Sequence, residues 1–281
     1  MSPNRFQGRY EILRNEEIAP EHYVMRVSAP EIAAAARPGQ FLHVLVAPEP
    51  APLLRRPISI SRVDSSAGWV EMIYRVVGEG TGILSRTRPG VALDVMGPLG
   101  SPFRLAGTGR HILVGGGVGI PPMLFLAENL KRIRETDRAL KYPSGGPSDD
   151  GIAVLLGGRT AGHILCNDDF AAIGITPQIS TDDGSAGRHG LVTDILREAL
   201  SDGAPATFYA CGPIPMLRAV AHTAREFNRP CQVSFEARMG CGVGACLSCV
   251  IPTSAGYQRV CTEGPAFDAE AVDWSGDLDV M

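Results

Sequence analysis

Cys241-Gly242-Val243-Gly244-Ala245-Cys246-Leu247-Ser248-Cys249, with Cys261 after eleven further residues, is the stretch on which the rest of the chain turns. Four of the seven cysteines fall inside it. The first three have the C-x4-C-x2-C spacing of a plant-type [2Fe–2S] site, with a fourth downstream. Such a cluster takes four thiolates around two irons, presented from a loop that wraps the metal. Gly240, Gly242 and Gly244 suit that loop, because glycine accepts positive φ and close backbone approach. The loop N–H groups can then point at the cluster sulfurs. Two other readings compete. Structural zinc also takes four cysteines, usually as two separated C-x2-C pairs, and one such pair is present here. Disulfides require an oxidising compartment. The N-terminal residues lack the apolar run of a signal peptide, so a reducing cytoplasm is expected.

The 281 residues amount to about two domains. An apolar content of 44% is ample for two cores. Net charge is −4 with no basic block, which argues against a nucleic-acid partner. The most apolar stretch, Ile112 to Ala127, holds four glycines and Pro121-Pro122, and is too short and interrupted to span a membrane.

From Tyr10 to Met96 the pattern is short strands broken by Pro38-Gly39, Gly78-Glu79-Gly80 and Pro89-Gly90. This predicts a small β-barrel with one short helix, about Thr81 to Arg86. Past Gly97-Pro98-Leu99-Gly100 the pattern changes to alternating strands and helices, which predicts a parallel α/β sheet. Lys141 to Gly151 reads as a polar, flexible insertion. The expected order is a barrel domain over 1–104, an α/β domain over 105–230, and a last strand with the cluster segment over 231–281.

The barrel region carries Arg55-Arg56-Pro57-Ile58-Ser59-Ile60. Arg56 can pair bidentately with a pyrophosphate. Ser59 shares a strand face with Pro57 and can reach a flavin ring edge. Tyr74-Arg75 then precedes Gly78-Glu79-Gly80-Thr81-Gly82, a turn opening a short helix and a natural phosphate cradle. A solvated charge pair at Arg55-Arg56 and a plain hairpin or helix start at Gly78 to Gly82 are the plainer readings.

In the α/β region, Val114-Gly115-Gly116-Gly117-Val118-Gly119-Ile120 follows a strand and opens a helix. Its glycines let the backbone approach a pyrophosphate, although the G-x-G-x-x-G register is not met. Asp182 or Asp183, in Thr181-Asp182-Asp183-Gly184-Ser185, can accept from ribose hydroxyls and would repel a 2′-phosphate, favouring NADH. An ordinary acidic turn is the alternative. Arg159 keeps NADPH open. Cys211-Gly212-Pro213 ends a later strand, where ligands of open α/β sheets bind, so Cys211 is a candidate for lining the nicotinamide site; a small buried residue is the alternative. Cys166 and Cys231 lack spacing partners, and His163 and His189 are isolated. No Ser-His-Asp arrangement can be placed.

Arg-Pro-Ile-Ser, Gly-x-Gly-Thr, the Gly-rich strand–helix turn and Cys-Gly-Pro together resemble the ferredoxin–NADP⁺ reductase superfamily. Within it, Asp94 to Gly100, Thr181 to Ser185, Phe235 to Cys249 and Arg259 to Phe267 look like the electron-transfer subunits of class 1B dihydroorotate dehydrogenases. The resemblance covers nearly the whole chain. It implies bound FAD, a [2Fe–2S] cluster and NAD, with flavin contacts at Arg56, Pro57, Ile58 and Ser59, at Ile73, Tyr74 and Arg75, and at Gly80 and Thr81. The cluster ligands would be Cys241, Cys246, Cys249 and Cys261. The implied partner is an FMN-containing catalytic subunit that oxidises dihydroorotate in pyrimidine synthesis, as a heterotetramer of two subunits of each kind. Where the superfamily often stacks an aromatic on the flavin, this chain has Ile58, so Ile58 or a residue such as Tyr74 must serve. Val243, Ala245 and Leu247 are expected to be partly exposed toward the partner. The rival functions are a flavin and iron–sulfur reductase serving a hydrogenase or a sulfur-reducing enzyme, and a redox-sensing module without turnover.

Overall fold

A computed structural model describes residues 5–47, 52–105, 109–136, 151–200, 203–276 and 278. Six antiparallel strands close a barrel in the order β1-β2-β5-β4-β3-β6. They are β1 (Phe6–Ala19), β2 (His22–Ser28), β3 (Phe41–Leu45), β4 (Arg56–Asp64), β5 (Trp69–Arg75) and β6 (Ala92–Leu99). Alternation builds the interior: Ile12, Met25, Val27, Leu42, Val44, Ile60, Met72 and Val95 are fully buried. β1 starts before the expected Tyr10 because its outward positions, Arg9 and Glu11 among them, are charged and mask the pattern. Two short helices accompany the barrel rather than one. α1 (Pro30–Ala35) carries proline in its first turn and buries Ile32 and Ala33. α2 (Glu79–Ser85) begins two residues earlier than expected, within the Gly-rich turn.

The second fold element is a parallel sheet. Its strands are β7 (Arg110–Gly116), β8 (Ile152–Gly158), β9 (Gln178–Thr181), β10 (Arg188–His189), β11 (Ala206–Cys211) and β12 (Cys231–Ser234). After it comes a hairpin, β13 (Val250–Thr253) and β14 (Gly256–Arg259), and then β15 (Ala266–Asp268). The sheet order is β10-β9-β8-β7-β11-β12-β15. Every residue of β7 and β11 is buried, as strands covered on both faces require. Helices α3 (Ile120–Thr136), α4 (Asn167–Ala172), α5 (Val192–Ala199) and α6 (Ile214–Glu226) connect the strands. The chain winds outward from β7 through β8 to β9, then returns to the other side of β7 with β11. That reversal is a topological switch point between β7 and β11.

Two compact units result. One gathers the described residues up to Pro102 with Glu236–Ala266; the other comprises Phe103–Phe235 with Phe267–Leu278. Apart from Gly151, the Lys141–Gly151 insertion lies outside the described residues. No described helix is long and apolar enough to cross a membrane.

Candidate functional site

The cysteine loop is built from positive-φ turns. Gly242 has φ 69° and Gly244 has φ 85°. These turns aim successive N–H groups at one sulfur: Val243, Ala245 and Cys246 donate to Cys241 Sγ at 3.4, 3.3 and 3.4 Å. The eleven residues before Cys261 contain the β13–β14 hairpin, which pairs Val250 with Arg259. Val260 N–H donates to the Cys249 carbonyl at 2.8 Å. The hairpin thus returns Cys261 to hydrogen-bonding reach of Cys249. Cys241 and Cys246 form a second such pair. Among the described residues, no three ligating side chains converge on a single ion. Two thiol pairs suit two irons with two thiolates each better than one tetrahedral zinc.

The electrostatics hold Cys246 and Cys249 toward the thiolate and Cys261 toward the thiol. Hydrogen bonds from Ser248, then from Cys241, bring the Cys246 thiol down to about 6. Cys261 donates to Cys249 and brings it down to about 6, while the shared proton pushes Cys261 up. Arg259 braces this arrangement. Its Nη1 donates to the Gly244 carbonyl at 2.9 Å and its Nε to Glu263 Oε2 at 2.9 Å, with a second guanidinium bond to Glu263 Oε1. The Arg259 guanidinium holds the Glu263 carboxyl down at about 2. Ser101, just past the barrel's last strand, donates through Oγ to the Thr262 carbonyl at 2.9 Å. His43, on β3, is wholly buried. Its ring presses on Gly242 so closely that a Cβ there would lie 2.5 Å from Nδ1. Neither ring nitrogen makes a hydrogen bond of good geometry among the described residues. Burial first, then the Arg55 charge, lowers the imidazole to about 4, so it is neutral. An unmade buried hydrogen bond costs about 1–3 kcal/mol.

On the barrel, Arg56 and the Gly-rich turn come together. The guanidinium lies over Gly80, where a Cβ would be 2.6 Å from Nε. Thr81 Oγ1 accepts from Val77 N–H at 3.0 Å and Gly78 N–H at 3.3 Å, and so shapes the start of α2. A guanidinium beside a glycine-rich helix start is the donor set a pyrophosphate requires. Along β4, Pro57 and Ser59 are half-buried and face one way while Ile58 and Ile60 are buried. The doubled arginine splits its work: Arg55 pairs with Asp94 at 2.9 Å. On β5, Ile73 and Tyr74 are buried. The Tyr74 hydroxyl donates to Asn15 Oδ1 at 3.0 Å, and its ring stacks on Tyr23. Arg75 pairs with Glu21 at 2.8 Å. The side chains of Tyr74 and Arg75 are therefore committed within the barrel.

In the second unit, β7 ends in a 3-10 turn, Gly117–Gly119, that leads into α3. Gly119 packs on the Cys211 carbonyl and on Gly212 N, where a Cβ would overlap backbone. Gly116 packs on Met216, and Gly115 on Ile120. Register pairs Cys211 with Gly115. The glycine turn and Cys211-Gly212 thus meet at the switch point. Gly117 has φ 54° with open space beside it, so its backbone is accessible. Asp182 and Asp183 lie past the end of β9, two strands from β7. Asp183 accepts from Ser185 N–H at 2.9 Å and Ser185 Oγ at 2.6 Å, bonds that lower its carboxyl. Asp182 and Arg159 are exposed on the same sheet edge. His163 meets Thr160 Oγ1 at 3.0 Å through Nδ1, and burial pushes the Cys231 thiol up.

Sequence reasoning did not find His43, Arg259, Glu263 or Ser101. The short-range signal of Arg259 and Glu263, four residues apart beside Cys261, was present but reads as an ordinary ion pair. For His43 no local signal exists.

The family model described as the iron–sulfur cluster binding domain of dihydroorotate dehydrogenase B matches residues 236–273. The one for the oxidoreductase NAD-binding domain matches residues 113–222. The chain is 44% identical over 262 residues to the dihydroorotate dehydrogenase B (NAD(+)) electron transfer subunit of Bacillus caldolyticus, spanning 91% of this chain and 94% of that one. The subunit of the same name from Desulforamulus reducens is 40% identical, with 92% and 94% covered. Among solved structures, an NADH-dependent reduced ferredoxin–NADP oxidoreductase superposes with a TM-score of 0.81 at 31% identity, covering 95% of this chain and 91% of its own. A ferredoxin NADP⁺ reductase from Neisseria gonorrhoeae shares the fold, with a TM-score of 0.62 at 16% identity and 80% and 92% covered.

Proposed function

The chain belongs to the family of dihydroorotate dehydrogenase B (NAD(+)) electron transfer subunits, and on that footing we propose that it links an FMN-containing catalytic subunit, which oxidises dihydroorotate, to NAD⁺. When bound, a [2Fe–2S] cluster carries single electrons and a flavin exchanges both single electrons and a hydride, so together they connect a one-electron port to the nicotinamide. The two thiol pairs of the Cys241–Cys261 loop carry this reading.

In it, Cys241, Cys246, Cys249 and Cys261 hold the cluster, and the N–H groups of Val243, Ala245 and Cys246 stabilise the charge on one of its thiolates. Arg56 and the Gly80–Thr81 turn hold the FAD pyrophosphate. Pro57, Ile58 and Ser59, with the backbone of Ile73, Tyr74 and Arg75, bound the ring. Gly115, Gly116, Gly117 and Gly119 admit the dinucleotide, Cys211 and Gly212 line its nicotinamide end, and Asp182 and Asp183 select NAD(H) by repelling a 2′-phosphate. The division into 1–104 for FAD, 105–230 for NAD and 231–281 for the cluster is part of the same proposal. No side chain need act as acid or base.

Cys246 is exposed, and beside it Leu247 is 60% exposed at φ 58°. A large apolar residue kept exposed in the left-handed region supports an interface role for this face, and the partner would cover it. The assembly would hold two subunits of each kind, in the cytoplasm where thiols stay reduced. Reconstitution with an FMN-containing catalytic subunit is expected to yield dihydroorotate-dependent NAD⁺ reduction. A preparation replete in iron and FAD that reduces no NAD⁺ with that partner would overturn the proposal.

A further inference from the structure

We propose that His43 tunes the metal site, its imidazole N–H donating a hydrogen bond to a sulfur of the cluster held by the Cys241–Cys261 loop. The inference rests on reading that loop as a [2Fe–2S] site. His43 is 0% exposed, and neither ring nitrogen makes a hydrogen bond of good geometry among the described residues, the Arg55 backbone offering only a weak one. A buried imidazole so weakly partnered within the chain has room for a partner from outside it. The ring lies against Gly242, the neighbour of Cys241, with Nδ1 the nearest atom to a Cβ built there and Cε1 next at 3.2 Å. Only glycine allows that approach, so the loop is shaped around the ring. Three of the loop's own N–H donors, those of Val243, Ala245 and Cys246, converge on Cys241 Sγ. His43, like Thr262 Oγ1, is a buried polar group beside the loop, and it is the one that can donate an N–H to an anionic sulfur, whether thiolate or sulfide.

A neutral imidazole carries one N–H and suits that role; burial and the nearby Arg55 keep it neutral. Donation to a cluster sulfur favours the more negative, reduced cluster and raises its potential. The same ring sits opposite Pro57 in the β3–β4 register, so one side chain packs between the strand proposed to hold the flavin and the loop proposed to hold the cluster.

The test uses the whole chain loaded with iron and FAD. Pulsed EPR on the reduced protein with ¹⁵N-labelled histidine is expected to show a nitrogen coupling to the cluster. In His43→Leu that coupling should vanish. The reduced-to-oxidised cluster ratio at fixed potential should fall about tenfold, about 59 mV for one electron. His43→Gln, which keeps an N–H, should recover part of the potential. An unlabelled-like spectrum in the wild-type chain overturns the proposal even if neither variant folds. So does an unchanged potential in His43→Leu with full iron content. A wild-type chain that binds zinc and gives no reduced [2Fe–2S] signal would instead sink the cluster reading itself, before any variant is made.

Discussion

Arg56 shows how a single side chain carries a binding site. Its guanidinium rests on Gly80, a residue brought to it by folding, and the two are the proposed seat of the FAD diphosphate. Arg56→Ala is expected to weaken FAD retention by about 2 kcal/mol, the worth of a charge-assisted hydrogen bond, measured as flavin lost on gel filtration. Arg56→Lys should recover little of this, because an ammonium cannot reproduce the fork. Cys246 makes the complementary point. It is exposed and has a thiol lowered by Ser248, so it is accessible to metal. Cys246→Ser is expected to abolish electron transfer with the catalytic partner while NADH still bleaches the flavin. Normal transfer in that variant would show that the cluster is not on the route. Both proposals were open to the sequence, since Arg-Pro-x-Ser and C-x4-C-x2-C are local patterns with local chemistry. His43 was not, because a lone histidine in a strand says nothing about a loop far along the chain.

Elements bring these residues together. The hairpin β13–β14 turns an unremarked gap of eleven residues into the device that returns Cys261 to Cys249. Its sequence, Ile251-Pro252-Thr253 and Gly256-Tyr257-Gln258, is too short and too polar to announce a strand pair. At the switch point, Gly119 sits on the Cys211 carbonyl with no room for a methyl group. Backbone cannot yield as a side-chain tip can. Gly119→Ala is therefore expected to cost about 1–3 kcal/mol in stability and to raise the KM for NADH, read by thermal unfolding and steady-state kinetics. Gly117→Ala should disturb stability less, since open space surrounds it and only its positive φ is unfavourable. Helix α1 escaped the sequence pattern because Glu31-Ile32-Ala33-Ala34-Ala35 offers a single large apolar residue to mark a buried face.

At the scale of the whole molecule, the cluster segment belongs to the same compact unit as the barrel, although most of the chain separates them in sequence. Ile251 and Val260 are fully buried there, and Ser101 reaches the Thr262 carbonyl. Stability in the other unit carries a pH signature. His111, at the core of β7, is lowered to about 4 by burial and then by the Arg134 charge. Unfolded, it would titrate near its ordinary 6.5, so the unfolded state binds the extra proton first. The stabilisation is thus complete above pH 6.5 and is lost progressively as pH falls toward about 4, to a total of about 3 kcal/mol. Chemical unfolding across that range should show the slope, and His111→Gln should remove its share.

Spacing and alternation in the chain were enough to place an iron–sulfur loop, a glycine turn, a barrel and a parallel sheet in order, and to propose a flavin strand. Each rests on neighbours a few residues apart, where backbone geometry is set by residue type. Pairing between distant segments was not available from such patterns. The joining of the cluster segment to the barrel, the two thiol pairs, the seat of Arg56 on Gly80 and the wedge of His43 on Gly242 all arise from close packing. Packing is decided by volumes and unmet hydrogen bonds across the folded interior, and no periodicity along the chain records it.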